Sequence, residues 1–600
     1  MKKEKPMKQF FKQIFASCLG VLIAGILLLI LFFGIIGSLI PSEEPVVEVK
    51  NNSVLLLKLD KPIYDREVND LSMFGDIVNG EIGTSIGLTE FIQVMKRAKG
   101  DENIKAVMLD LSLLQANGWA TIEEMRQSIE DFKTSGKKVY AYSDMLTQSA
   151  YYLATAADEI IMNPNGMLTL TGLGAEVMYY KDLLNKFDID VELIRPKNNS
   201  YKSAGETYIS NKMSEENREQ IKAYLAAIWD YVSDKMVRDR KLDKAMFEQQ
   251  VSNLETCLPN DALKNKLIDK VSFRSDVEDL ICSEIRTKHK LSKSTQIDFV
   301  KYSKYRKSIP IINEVKQENI AVIYAYGDVN QGKGTSLSIG SETLVKAIRK
   351  ATENKTVKAI VLRVNSPGGD AIASELITNE VIRAKKVKPV IVSMGDVAAS
   401  AGYEMSSNAT KIVAMPVTIT GSIGVFGVMP NFARTLKTNL GITFDTVKTH
   451  QNSVLLSVTT PPSKDVMMLM QRNVENCYAN FINRVSEGRN KDKAYIDSIA
   501  RGRVWVGSQA KTLGLVDEFG GLNKAIEVAA NESGIKDYGI ITYPKMKDIA
   551  TQLVETLSGE SEMKLFADEL GKPYSFFLEL KSICEMQGVQ ARIPYLISIK

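Results

Sequence analysis

The longest apolar stretch of the chain lies close to its start. Residues 14–40 contain no charged side chain, and "SLIPSEE" follows. Because about 20 apolar residues cross the hydrocarbon layer of a bilayer, the stretch predicts a single transmembrane anchor. Its length and ending favour an uncleaved anchor over a cleaved signal peptide. The lysine-rich residues 1–13 then form a cytoplasmic tail, and residues 41–600 lie across the membrane.

Downstream, short apolar runs alternate with segments in which apolar residues recur at helical spacing. Two such segments, 341–354 and 370–386, predict helices with polar starts. The neighbouring apolar runs predict core strands: "IAVIYAYG", "VKAIVLRVNS", "KPVIVSMG" and "TKIVAMP". Alternation of strands and helices predicts an α/β fold of parallel βαβ units, with helices covering the sheet.

The pattern occurs twice. Four segments recur in the same order at a common offset of about 250 positions, which indicates a duplicated domain. The pairs are 104–112 with 357–366, 137–164 with 388–416, 169–174 with 418–424, and 262–269 with 510–517. We therefore predict a first domain at 48–295 and a second at 319–547. The polar, basic residues 296–318 would link them, and 548–600 would form a helical extension.

Composition limits the functional classes. The chain has 600 residues, 44% hydrophobic and 25% charged, which is typical of a globular protein with more than one domain. A net charge of +4 and the absence of a basic stripe give no reason to expect nucleic acid as a partner. The five cysteines show no metal-type spacing.

Two turns in the second domain could carry chemistry. In "DVAASAGY" (396–403), Ser400 lies where a buried strand ends and a helix begins. In "NSPGGD" (365–370), Gly368 and Gly369 permit close approach of the backbone, and their N–H groups could stabilise an oxyanion. Turns after neighbouring parallel strands lie at the same sheet edge, so a serine nucleophile beside an oxyanion hole is the hypothesis.

A serine nucleophile needs a base, and the residues alone leave two possibilities. The chain has two histidines, and His450 has a better claim than His289 because it follows Ser400 in the same domain. The other possibility is a lysine kept neutral by burial. Lysines are abundant, so composition selects none of them.

Four motifs together resemble the signal peptide peptidase A family of membrane-anchored Ser–Lys proteases. They are "NSPGGD", "DVAASAGY", "TGSIGVFG" and "GRVWVGSQAKTLGLVDEFGG", and the duplication matches the long form of that family. The resemblance implies two tandem Clp/crotonase-like domains behind the anchor. It also implies Ser400 as the nucleophile and Lys202, in "NNSYKSAGETY", as the general base.

The same resemblance assigns supporting roles. Gly368 or Gly369 would donate to the oxyanion together with the N–H of Ala401, which stands where many relatives have glycine. Ser422 would orient the lysine.

The duplication implies one composite site for the two domains. Carried forward by the offset, Lys202 falls at 451–453, where no lysine occurs. Conversely, the first domain has Ser149 opposite Ser400, but "LSLLQANGWA" replaces the double-glycine turn. Ser149 is therefore predicted to be a structural remnant.

The resemblance implies no metal or other cofactor and hydrophobic peptide substrates, including remnants of signal peptides. It implies a homo-oligomer, suggested to be a tetramer, on a bacterial inner membrane with its catalytic domains on the periplasmic side. Two alternatives remain: a catalytically inactive membrane scaffold of the same fold, and a crotonase-type acyl-CoA enzyme.

Overall fold

A computed structural model describes residues 49–68, 85–114, 118–308, 315–455, 457–544 and 589–593, together with residues 20 and 23–25. The predicted cytoplasmic tail and nearly all of the predicted anchor at 14–40 lie outside these residues. Within the described residues, no helix combines the length and apolarity needed to cross a bilayer.

Two α/β domains follow one another. The first contains strands β1 (Ser53–Lys58), β2 (Ile63–Tyr64), β3 (Ile86–Gly87), β4 (Ile104–Asp110), β5 (Lys138–Thr147), β6 (Glu159–Thr169), β7 (Asp190–Ile194), β8 (Lys270–Val271) and β9 (Phe299–Lys301). Its helices are α1 (Leu88–Gly100), α2 (Trp119–Lys133), α3 (Gln148–Ala154), α4 (Lys181–Lys186), α5 (Glu206–Ile209), α6 (Glu215–Arg240), α7 (Lys244–Ser252), α8 (Pro259–Lys264), α9 (Arg274–Lys288) and α10 (Tyr302–Lys307).

The second domain repeats the alternation. Its strands are β10 (Asn319–Tyr326), β11 (Asp328–Asn330), β12 (Gly334–Thr335), β13 (Ser338–Gly340), β14 (Val357–Ser366), β15 (Gly368–Asp370), β16 (Val390–Ala399), β17 (Lys411–Ala414), β18 (Ile419–Gly421), β19 (Phe426–Asn431), β20 (Val504–Val506), β21 (Glu518–Phe519), β22 (Gly539–Tyr543) and β23 (Val589–Arg592). Its helices are α11 (Ser341–Glu353), α12 (Ala371–Lys385), α13 (Ala401–Ser407), α14 (Ala433–Leu440), α15 (Lys464–Arg489), α16 (Lys493–Ile499), α17 (Gly507–Thr512) and α18 (Leu522–Ser533).

The strands and helices predicted from the apolar pattern are confirmed in the second domain. β10 is buried along nearly its whole length, as expected for a strand covered on both faces. In α11, the buried positions include Leu344, Ala347, Ile348 and Ala351, three or four residues apart. The residues predicted from helical spacing therefore form a helix with one buried face.

The predicted duplication is confirmed by the order of the strands. The first domain has a parallel sheet in the order β8-β6-β5-β4-β1-β9. In the second domain, the pairings of β21, β17, β16, β14, β10 and β22 give the same order with corresponding strands. β16 therefore corresponds to β5, so Ser400 and Ser149 each follow the equivalent strand.

A third sheet joins segments of both domains. Its order is β12-β13-β11-β15-β23-β19-β7. β7 belongs to the first domain in sequence, yet it pairs antiparallel with β19 from Asp190↔Asn431 to Ile194↔Gly427. This pairing carries the chain that follows β7 into the second domain.

The segment predicted as a linker at 296–318 is partly built into the first domain. β9 extends the first sheet by pairing with β1, and α10 follows at once. Val300 and Tyr305 are buried, so two apolar side chains anchor a segment whose overall polarity suggested a linker. The predicted helical extension at 548–600 lies outside the described residues except for 589–593, and those residues form strand β23 and its end.

A buried ion cluster ties the domains together. Arg363 on β14 contacts Asp65 and Glu124 of the first domain, each at 2.7 Å. All three side chains are at most 4% exposed. Loss of one partner from such a cluster leaves a buried charge unpaired, which typically costs about 3–5 kcal/mol. The cluster therefore favours one fixed placement of the two domains around the site.

Candidate active site

Ser400 occupies the bend between β16 and α13. Its backbone has φ +56° and ψ −115°, a conformation that is rare for a residue with a side chain. Such a conformation costs roughly 1–3 kcal/mol and persists where the surrounding structure enforces it. Its N–H donates to the carbonyl oxygen of Gly421 at 2.8 Å, which fixes the bend against β18. The sequence-based expectation of a serine between a strand and a helix is met.

Lys202 belongs to the first domain in sequence, and its side chain reaches Ser400. It lies between β7 and α5, on the stretch that the pairing of β7 with β19 brings across. The N–H of Tyr201 donates to the carbonyl oxygen of Arg501 at 3.0 Å, and Arg195 donates to the carbonyl oxygen of Lys202 at 3.0 Å. The backbone on both sides of Lys202 is thus held.

Three oxygen atoms surround the amine of Lys202. Its Nζ lies 2.8 Å from Ser400 Oγ, 3.0 Å from Ser422 Oγ and 3.1 Å from the carbonyl oxygen of Ser422. Ser400 Oγ also lies 3.3 Å from the carbonyl oxygen of Gly424, to which it can donate. The structure therefore brings together the three residues singled out as nucleophile, base and orienting serine.

The amine is completely buried and has no carboxylate among these contacts. Lys202, Ser400 and Ser422 each have 0% exposure. Burial disfavours the ammonium form and lowers the pKa of Lys202 well below that of a free lysine. A neutral amine has two N–H donors and one lone pair. The two oxygens of Ser422 can accept the donors, which leaves the lone pair for the hydroxyl of Ser400.

Two glycines permit close packing of the segments around Lys202, and sequence reasoning did not identify them as site residues. Gly502 has φ +78°, and a Cβ there would lie 2.5 Å from Lys202 Cβ and 2.6 Å from its backbone nitrogen. A Cβ on Gly424 would lie 2.7 Å from Asn199 Oδ1 and 2.8 Å from Gly502 Cα. Both contacts are too short for a real side chain, so the close approach requires glycine.

Two amides hold the lysine segment, and they too were missed. Asn199 donates from Nδ2 to the carbonyl oxygen of Val425 at 3.0 Å. Gln220 on α6 donates to the carbonyl oxygen of Tyr201 at 3.1 Å and accepts from the N–H of Val504 at 3.1 Å. Asn199 lies inside the motif "NNSYKSAGETY" around Lys202, and its place in that motif could have marked it as a site residue. Nothing in the pattern of α6 marked Gln220.

The predicted oxyanion donors lie on neighbouring elements. Gly368 and Gly369 are the first two residues of β15 and have φ +111° and +155°, and Ala401 is the first residue of α13. The N–H of Gly368 lies 3.2 Å from Ser366 Oγ. Ser366 ends β14 and is paired with Ala398 on β16, which places the double-glycine strand beside the Ser400 bend.

The remaining candidate residues lie in other surroundings. His450 is exposed in a loop, where its Nδ1 lies 3.1 Å from Thr449 Oγ1. His289 is exposed at the end of α9. Ser149 lies within α3, with its Oγ 3.2 Å from Thr147 Oγ1. None of these three side chains has a contact with Lys202 among the hydrogen bonds of the described residues.

Comparison with known proteins identifies the class of protein to which the chain belongs. The model of peptidase family S49 matches residues 131–285 and again 382–536. Protease 4 of Haemophilus influenzae is 33% identical over 537 residues, covering 85% of each chain. The chloroplastic serine protease SPPA of Arabidopsis thaliana is 30% identical over 559 residues, covering 92% of this chain and 78% of its own.

These matches place the molecule among the serine proteases. With two successive copies of the family domain, the chain belongs to peptidase family S49. The two matched ranges begin about 250 positions apart, in agreement with the internal repeat.

Solved structures match single-domain lengths of the chain. A 1510-N membrane-bound stomatin-specific protease covers 40% of this chain at 16% identity, with a TM-score of 0.26. ClpP1 of Listeria monocytogenes covers 34% at 15% identity, with a TM-score of 0.23.

Proposed function

We propose that this protease is an endopeptidase with a Ser400–Lys202 dyad. The observation that carries the proposal is the 2.8 Å contact between the hydroxyl of Ser400 and a fully buried lysine amine. Burial supplies the chemical condition, because a lysine with a lowered pKa can accept a proton at neutral pH.

The residues suggest the following steps. Lys202 Nζ takes the proton of Ser400 as Oγ attacks a peptide carbonyl, and the resulting oxyanion is stabilised by the N–H groups of Gly368 or Gly369 and Ala401. The lysine then returns the proton to the leaving amine, so the peptide bond breaks and an acyl-serine ester remains. Water, deprotonated by the neutral lysine, hydrolyses the ester and regenerates Ser400.

Ser422 is proposed to orient the base rather than to react. Its two oxygens accept from Lys202 and turn the lone pair of the amine toward Ser400. We place the dyad in a Clp/crotonase-like domain pair, as the resemblance of the motifs implies.

For the substrate and location, we propose hydrophobic peptides, including cleaved signal peptides, acted on by an oligomer anchored in a bacterial inner membrane through residues 14–40. The catalytic domains would lie on the periplasmic side. A putative signal peptide peptidase SppA of Enterococcus faecium supports the substrate class, at 34% identity over 34% of this chain and 59% of its own.

The test measures hydrolysis of a fluorogenic hydrophobic peptide by the full chain across pH, with a metal chelator present. We expect kcat/KM to rise with pH as Lys202 loses its proton, because only the neutral amine can act as a base. Lys202→Ala should lose roughly 10³-fold or more in kcat. The exposed Lys197→Ala is the matched control.

His450→Ala should leave the rate unchanged. Loss of activity in that variant with survival in Lys202→Ala would overturn the dyad. Absence of turnover by the folded wild-type chain on varied peptides would instead favour the inactive scaffold.

A further inference from the structure

A buried carboxyl group lies one helical turn beyond the nucleophile. Glu404 is the fourth residue of α13, and its N–H donates to the carbonyl oxygen of Ser400 at 2.8 Å. Its side chain is buried, and the steps proposed above give it no role. Because burial of an ionisable group is costly unless the group is well paired, its partners show what it does there.

Glu404 joins the two turns that form the candidate site. Ser374 Oγ donates to Glu404 Oε2 at 2.7 Å and lies 3.3 Å from the carbonyl oxygen of Ala401. Ser374 is in the first turn of α12, which begins directly after the double-glycine strand β15. Asp370, the last residue of β15, caps α12 by accepting from the N–H of Ala373 at 2.8 Å. The contact therefore ties the helix after the oxyanion glycines to the helix after the nucleophile.

Charged groups on two other helices face the same carboxyl group. Arg484 Nε of α15 lies 3.7 Å from Glu404 Oε1, and the guanidinium of Arg484 also pairs with Glu375 of α12. Cys477 of α15 is close as well, because charges that include Glu404 add to burial in raising the pKa of its thiol. Burial raises the pKa of Glu404 to about 7 against the opposing effects of Ser374 and Arg484.

The first domain has a different residue at this position. Tyr151 and Tyr403 occupy matching places, because each phenol donates to the carbonyl oxygen of a leucine, at 2.9 and 3.0 Å. The residues that follow them are Tyr152 and Glu404. Each of these two accepts, at its carbonyl oxygen, from the hydroxyl of the residue three positions further on, at 2.9 and 2.8 Å. Tyr152 is therefore the counterpart of Glu404.

The partners of the two residues correspond as well. The hydroxyl of Tyr152 donates to the buried carboxylate of Glu123, which also pairs with Lys235. Glu123 and Glu375 are each the fifth residue of their helices, α2 and α12. Lys235 and Arg484 are each the twenty-first residue of theirs, α6 and α15. In each domain an acid, a base and one residue of the short helix therefore meet.

The residue of the short helix differs in its proton chemistry. Burial raises the pKa of Tyr152, so its phenol stays protonated, whereas Glu404 is a carboxyl that titrates near neutral pH. The counterpart of Ser374, the fourth residue of α12, is the buried and apolar Ile122, the fourth residue of α2. The fold thus accepts non-ionising residues at both positions. The carboxyl group and its hydroxyl partner occur in the domain that holds the nucleophile.

We propose that Glu404 is a positioning residue that holds the Ser400 bend and the oxyanion strand β15 in register through Ser374, most firmly when Glu404 is ionised. A hydroxyl donates more strongly to a carboxylate than to a neutral acceptor. When Glu404 gains a proton, this charge-assisted bond is lost, and the hydroxyl of Ser374 is free to turn to the carbonyl oxygen of Ala401. The proposal rests on the proposed function, because the rate that it controls is that of attack by Ser400.

The test compares hydrolysis of a fluorogenic hydrophobic peptide by the full chain and by Glu404→Gln across pH. Glutamine keeps an acceptor for Ser374 but has no charge. We therefore expect the wild-type kcat to exceed that of the variant about fivefold near pH 8.5 and to equal it near pH 5.5. KM should differ little, because the contact acts on the geometry of attack and not on binding.

Ser374→Ala tests whether the hydroxyl carries the effect. In that background, Glu404→Gln should change kcat by the same factor at every pH. A ratio that still rises with pH without the hydroxyl would mean that Glu404 acts through its charge on Lys202, and it would overturn the positioning role.

The neighbouring charges should shift the midpoint of the ratio in opposite directions. Glu375→Gln removes a negative charge, which lowers the pKa of Glu404 and moves the rise in kcat to lower pH. Arg484→Gln removes the positive charge and should move the rise to higher pH. The side chain of Glu375 is half exposed, so this second variant keeps the test available should Glu404→Gln fail to fold.

Tyr152→Phe is the matched control at the counterpart position. It removes the hydroxyl that donates to Glu123 and should lower the Tm, while its kcat relative to wild type stays independent of pH. A constant ratio of wild type to Glu404→Gln across pH, with both chains folded and active, would overturn the positioning role and leave the proposed function standing. Absence of hydrolysis by the folded wild-type chain would contradict the proposed function, and this role with it.

Discussion

Each domain places a serine after the corresponding strand of its own sheet, but the two domains hold that serine differently. Ser400 lies outside α13, has a positive φ, and contacts a buried lysine. Ser149 lies inside α3, whose cap is Thr147 rather than the serine, with the hydroxyl of that threonine accepting from the N–H of Ala150 at 3.2 Å. A shift of the helix start by two residues relative to the serine therefore separates an ordinary helical serine from an exceptional one.

Only the second domain keeps a strained backbone at its serine. A helical serine is a low-energy arrangement, whereas the bend at Ser400 costs free energy that the rest of the domain must offset. The first domain instead supplies Lys202, which reaches Ser400 because β7 pairs with β19. The two copies have thus diverged into complementary halves of one constellation.

The largest expected effect separates the two serines. Ser400→Ala should lower the hydrolysis of a hydrophobic fluorogenic peptide by roughly 10³-fold or more, because the nucleophile is lost. Ser149→Ala should leave the rate within about twofold, because its hydroxyl contacts Thr147 and not Lys202. The readout is kcat/KM, with thermal unfolding to show that both variants fold. Comparable losses in the two variants would contradict the asymmetry between the domains.

A second test concerns the glycine against which Lys202 packs. Gly502→Ala places a Cβ into Lys202 and should shift the amine, and a misplacement of about 1 Å can cost about 10²-fold in rate. Gly534→Ala is the matched control: it also has a positive φ, +71°, but its Cβ would meet nothing within 4 Å.

Both glycine variants should lose a similar amount of stability from the positive φ, since alanine is strained there. Only Gly502→Ala should lose the additional activity. Equal activities at equal stability would show that Lys202 tolerates displacement.

Much of this architecture could be predicted because it is local in sequence. Short stretches of consecutive residues carry the apolar patterns that predict strands β10, β14, β16 and β17 and helix α11. Ser400 could be located for the same reason, since a strand end and a helix start flank it. The repeat added the correspondence between domains.

The remaining features depend on contacts between distant parts of the chain. Lysines are numerous, and Lys202 was singled out only through a resemblance of motifs, because its burial depends on the pairing of β7 with β19. Gly502 packs against Lys202 from a distant part of the sequence, and Gln220 links the lysine segment to Val504, 284 positions further along the chain. β23 was missed because helical spacing nearby suggested a helical extension, and a strand of four residues carries too little periodicity to be predicted.

A smaller effect is expected at Ser422. Ser422→Ala removes one acceptor from Lys202 while the backbone carbonyl at 3.1 Å remains, so we expect about a tenfold loss in kcat with little change in KM. Ser406→Ala is the control, because this buried serine donates to the carbonyl oxygen of Gly402 at 2.6 Å and does not contact the lysine. An unchanged kcat in Ser422→Ala would show that the carbonyl alone orients the amine.

The smallest expected effect is on the free energy of unfolding. Here loss of Lys202 should be favourable, whereas it should be harmful to activity. Because burial lowers the pKa of Lys202 in the folded chain, the unfolded chain binds a proton that the folded chain does not over the pH range between the two values. The free energy of unfolding therefore rises with pH through that range and levels off above the ordinary lysine pKa of about 10.4.

Methionine fills a similar volume without this protonation cost. Lys202→Met should raise the Tm by roughly 2–4 °C at pH 7 for each kcal/mol relieved, and the difference should shrink as the pH approaches 10. The exposed Lys197→Met is the control and should show no such dependence. A Tm difference that stayed constant with pH would mean that Lys202 keeps its proton in the folded chain, which would remove the base from the dyad. A pH-dependent gain in stability on losing the lysine would show instead that the first domain maintains a destabilising residue where the second domain needs it.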